Sequence, residues 1–107
     1  MVSGHQPPSP DEAITPEVME LAERRAAEAR ERAARAGLLA ARSFEKSALQ
    51  HERVAAVRER SVQRRVPDVD RHRESATIHR KAAAEDRKLA ELKRKESEAD
   101  LSLDTDH

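Results

Sequence analysis

The sequence has no cysteine, no tryptophan and no tyrosine; its 107 residues include one phenylalanine, Phe44, and two glycines. Each absence removes a class of function. Without cysteine there is no disulfide, no thiolate nucleophile and no Cys-based zinc site. Neither a Gly-x-Ser-x-Gly elbow nor a glycine-rich loop to cradle phosphate is present. So few aromatics leave little to stack on nucleic-acid bases and little to line an apolar ligand pocket. No apolar run approaches the roughly 18 residues that cross a bilayer. Residues 1–10 carry neither the basic nor the apolar part of a signal peptide, so the expected location is cytoplasmic. Catalysis, a cofactor, a small-molecule substrate and membrane binding are therefore not expected.

What the chain does have is charge, 39% of its residues, and many alanines among helix-forming Arg, Glu and Lys. That composition favours long helices over a compact globule or a disordered chain. The net charge is zero, yet residues 1–31 carry −4, residues 32–95 carry +9 and residues 96–107 carry −5. The chain reads as a basic rod with acidic ends.

One pattern is duplicated. Ser47-Ala48, His51 and Ala55-Ala56 recur 28 residues later as Ser75-Ala76, His79 and Ala83-Ala84. Between the copies, Val66-Pro67-Asp68-Val69 is the strongest break in helix-forming sequence. The expected fold is all-α: a long antiparallel two-helix hairpin with a coiled-coil-like, Ala-rich seam. Its expected parts are a flexible Pro-rich leader (1–15), a helix (16–66), a turn (67–69), a second helix (70–98) and an acidic disordered tail (99–107).

Thr15 before Pro16 has the form of a helix start, with Thr15 as N-cap and proline where its missing N–H costs nothing. At 100° per residue, one face of the first helix runs through Met19, Ala26, Ala33, Gly37, Ala41, Phe44, Ala48, His51, Ala55, Val62 and Val66. Its counterpart runs through Val69, His72, Ala76, His79, Ala83 and Ala90. Folding back at Pro67-Asp68 sets position 51 opposite about 84. Each histidine is then expected to face an alanine. Gly37 is the one internal alternative: a break there gives a three-helix bundle.

The seam residues expected to carry interaction are Phe44, Ala48, His51, Ala55, Val62, Ala76, His79, Ala83 and Ala90. A second apolar stripe, Ile78, Leu89 and Leu92, lies off that seam and calls for a further partner. His51, His72 and His79 lack the i,i+3 or i,i+4 spacing of a helical metal pair, so no metal site is expected. The expected function is a non-enzymatic helical scaffold or protein-interaction module, pairing with itself or with another helical protein. The alternative is a nucleic-acid-associated protein, with Arg58, Arg60, Arg64, Arg65, Arg71 and Arg73 around the turn as candidate phosphate contacts.

In size and hairpin layout the chain resembles the small secreted helical-hairpin proteins whose turn carries a Trp-x-Gly motif. Here the turn is Val66-Pro67-Asp68-Val69 and tryptophan is absent, so the likeness stops at layout.

Overall fold

The computed structural model describes residues 14–105. They form two helices, α1 (Pro16–Gln63) and α2 (Val69–Thr105), packed side by side and antiparallel. The Cα radius of gyration, 25.5 Å, is about twice that of a compact chain of this length. The protein is a rod.

The start of α1 follows from its first three residues. Thr15 has extended backbone (φ −97°, ψ 160°), and its Oγ1 accepts a hydrogen bond from the Val18 N–H at 3.1 Å. Pro16 takes the first helical position and Glu17 sets an acid in the positively polarised first turn. The other end of α1 closes in a Schellman arrangement. The Val66 N–H donates to the Ser61 carbonyl at 3.3 Å and the Arg65 N–H to the Val62 carbonyl at 3.1 Å. That geometry puts Arg65 in the left-handed region (φ 51°), where glycine is the usual occupant. Asp68 is left-handed too (φ 65°), and its carbonyl accepts the His72 N–H at 3.0 Å to open α2.

The seam repeats strictly every seven residues. Ala34, Ala41, Ala48 and Ala55 are fully buried on α1, and Ala76, Ala83, Ala90 and Ser97 are buried on α2. A period of seven, rather than a straight 100° track, is the mark of helices under-wound around each other. The difference accumulates at about 20° per heptad. It explains why Ala34, not Ala33, is buried; Met19, 52% exposed, lies beyond the end of α2, whose last residue, Thr105, comes level with about residue 25.

Several other expectations need correction. The turn occupies 64–68, so α1 ends three residues earlier than expected and α2 begins one earlier. The fold-back is thus centred near 65 rather than between Pro67 and Asp68. Each residue of shift in that centre moves the pairing by two. Position 51 consequently meets 79, and the two histidines face each other instead of facing alanines. The three-helix alternative does not occur, because α1 passes through Gly37 without a break. The expected tail is helical through Thr105. Residues 1–13 of the expected leader, and 106–107 of the tail, lie outside the described residues.

Gly37 has a packing reason to be glycine. A Cβ built there would run into the Ser97 Oγ and come within 3.5 Å of the Lys93 carbonyl. Ser97 is 2% exposed, and its hydroxyl donates to that same carbonyl at 2.8 Å. The glycine lets α2 approach closely.

Candidate interaction surfaces

The seam holds a polar layer and is bordered by two flanks. Nδ1 of His51 and Nδ1 of His79 are 2.7 Å apart, with ring centroids at 4.9 Å. Nε2 of His51 is 3.9 Å from Oδ2 of Asp86, a buried oxygen with no hydrogen-bond partner. Of the two Nδ1 atoms, one holds the hydrogen and the other accepts it. One heptad nearer the turn, Nη1 of Arg58 donates to Nδ1 of His72 at 2.7 Å. Among the described residues no group of three or more His, Asp or Glu could hold a metal ion.

One flank of the seam is an ion-pair ladder that also repeats every seven residues. Glu59 meets Arg80, Glu52 meets Arg87 and Glu45 meets Arg94, each through the guanidinium Nε and Nη2 on one carboxylate oxygen. Equal spacing on the two helices places all three pairs in register once one is set.

On the other flank the α1 side carries no charge. On α1, stepping alternately by three and four residues from Met19 through Ala26, Ala33, Ala40, Ser47 and Val54 to Ser61 meets only Met, Ala, Ser, Gln and Val. The matching side of α2 presents larger groups: Ile78, Leu89 and Leu92 are 57%, 42% and 54% exposed. A groove of about 380 Å³ opens on this flank between Ala33, Ala36, Gly37 and Ala40 of α1 and Lys93, Glu96, Ser97 and Asp100 of α2. Sequence reasoning found the α2 stripe but missed the uncharged α1 face. Its signal, an unbroken lack of charge at helical spacing, was present in the sequence.

The expected seam residues differ in burial. Ala48, Ala55, Ala76, Ala83 and Ala90 are buried, while Phe44, His51, Val62 and His79 are half-buried. The arginines around the turn differ in their surroundings. Arg58 is half-buried against His72, and Arg73 lies 3.7 Å from Asp70. Arg60, Arg64, Arg65 and Arg71 are exposed.

No family model, curated protein or solved structure matches the chain. Among the described residues no helix is long and apolar enough to cross a membrane.

Proposed function

We propose that this chain is a non-enzymatic helical scaffold that pairs with a second copy of itself through the uncharged flank. The observation carrying this reading is the run from Met19 to Ser61, a helix face without charge in a chain that is 39% charged.

Three further features favour a second copy as the occupant. The α1 half of the face has no charge with which to select a foreign partner. Its α1 half is small and its α2 half large, so two hairpins related by a two-fold axis set Ile78, Leu89 and Leu92 of one against the alanines of the other, and the reverse. The hairpin's own buried core is seven alanines and one serine, and methyl groups of that size contribute only about 0.8 kcal/mol each. Burial of larger groups against a second copy adds what that thin core lacks.

Sedimentation equilibrium with parallel circular dichroism tests the reading. The wild-type chain is expected to be a helical dimer. An Ala33→Glu/Ala40→Glu variant is expected to be a monomer with a lower melting temperature. A wild-type chain that stays a stable helical monomer up to its solubility limit would overturn the reading.

A further inference from the structure

The face of α1 turned directly away from α2 is also ordered by sevens. From residue 18 to residue 60 it reads Val18, Arg25, Arg32, Leu39, Lys46, Arg53 and Arg60: five bases, no acid. Arg35 and Arg42 widen the stripe on one side. All seven bases are exposed. Among the described residues none of them is in an ion pair, in contrast to Arg80, Arg87 and Arg94, which the opposite helix neutralises. From Arg25 to Arg60 the stripe is about 52 Å long at 1.5 Å per residue. It is uninterrupted, because α1 is one unbroken helix.

We propose that this stripe is a binding site for the phosphate backbone of double-stranded nucleic acid, read without regard to sequence. A duplex carries one negative charge per about 1.7 Å, so a stripe of this length lies beside roughly 15 base pairs. Six of the seven bases are arginine, whose planar fork fits phosphate oxygens in pairs. The stripe offers no aromatic side chain to read or stack a base, which leaves charge and shape as the recognised features.

Other polyanions fit less well. A protein interface depletes charge at its centre and places apolar anchors there, whereas here the bases occupy the centre line. A membrane surface calls for a continuous apolar stripe, and Leu39 is the only apolar residue on that line between Arg25 and Arg60. The stripe lies about 100° around α1 from the Ala26, Ala33 and Ala40 column of the uncharged flank and about 50° from its Ala29, Ala36 and Ser43 column. The site rests on its own charge and does not depend on the pairing proposed above.

The test uses the full chain and a fluorescein-labelled duplex of arbitrary sequence, about 20 base pairs long, followed by anisotropy between about 50 and 200 mM salt. A stripe variant, Arg32→Gln/Arg42→Gln/Lys46→Gln/Arg53→Gln, keeps helix propensity while removing four charges. A turn variant, Arg64→Gln/Arg65→Gln/Arg71→Gln, is the comparison. The wild type and the turn variant are expected to bind several unrelated duplexes alike. The stripe variant should bind at least about tenfold more weakly at low salt, with its salt slope reduced by about one per base removed. Circular dichroism and sedimentation of the variants separate loss of the site from loss of fold or of pairing. No binding by the wild type at low salt overturns the proposal. So does loss in the turn variant alone, or stripe-dependent binding to phosphatidylserine vesicles without binding to duplex.

Discussion

Nδ1 of His51 and Nδ1 of His79 face each other at 2.7 Å across the seam, so one ring must hold hydrogen there and the other must not. The pair interrupts an alanine seam with two groups that satisfy each other. Removing one ring strands the other in a half-buried site, whereas removing both leaves Ala against Ala, like the layers on either side. His51→Ala and His79→Ala are each expected to destabilise, and the double variant to lose less than the sum. The coupling should be on the order of 1 kcal/mol in a double-mutant cycle by urea unfolding at fixed protein concentration. Additive losses would mean that the contact contributes nothing of its own.

Gly37 and Ser97 make a second coupled pair. Gly37→Ala alone gains helix propensity of about 1 kcal/mol but drives a methyl group into the Ser97 hydroxyl. The single variant is expected to be no more stable than wild type. In a Ser97→Ala background the same change should stabilise by about 1 kcal/mol, since the clashing oxygen is gone. Thermal melts of the four proteins decide it.

At the turn, Arg65 occupies a left-handed position without glycine's freedom. Arg65→Gly is expected to stabilise by about 0.5–1 kcal/mol, by relieving the contact between Cβ and carbonyl. Arg64, one residue earlier, has φ −80°, so Arg64→Gly should destabilise instead. Equal effects at the two positions would discount the strain.

The Glu–Arg ladder contributes specificity more than stability. The side chains of Glu52 and Arg87 are 31% and 50% exposed, which limits the pair to about 0.2–1 kcal/mol. Glu52→Arg should lower the melting temperature at low salt, and adding Arg87→Glu should recover most of the loss. Both effects should shrink at high salt. An effect indifferent to salt would point to packing rather than charge.

The hairpin, the Thr15 cap and the alanines from Ala48 to Ala90 were legible in the sequence, because N-cap chemistry and a small-residue stripe are local signals. What was not legible depends on the two helices meeting. Following the face at 100° per residue reached Ala33 instead of Ala34, because under-winding appears only when a second helix is present. Placing the fold-back at Pro67 set His51 against position 84. The chain leaves α1 earlier, through left-handed Arg65, a conformation an arginine does not advertise. The acidic end was expected to fray, since acids oppose the dipole at a helix C-terminus. Buried Ser97 and half-buried Asp100 instead pack that end against α1, which outweighs a term of about 0.3–1 kcal/mol.

The seven-residue repeat makes the two helices nearly self-similar under sliding. Moving α2 by one heptad sets alanine against alanine again and keeps two Glu–Arg pairs in one direction and three in the other, where Arg73 comes opposite Glu59. Neither the seam nor the ladder can tell one setting from the next. The contacts that do not recur are the glycine beneath Ser97 and the short turn, whereas the slip that brings Arg73 opposite Glu59 would also set His51 against His72; these two contacts act as the stops that select one setting. Cut at the turn, the two helices would be free to engage one notch off, so the five residues from 64 to 68 serve as the molecule's ruler.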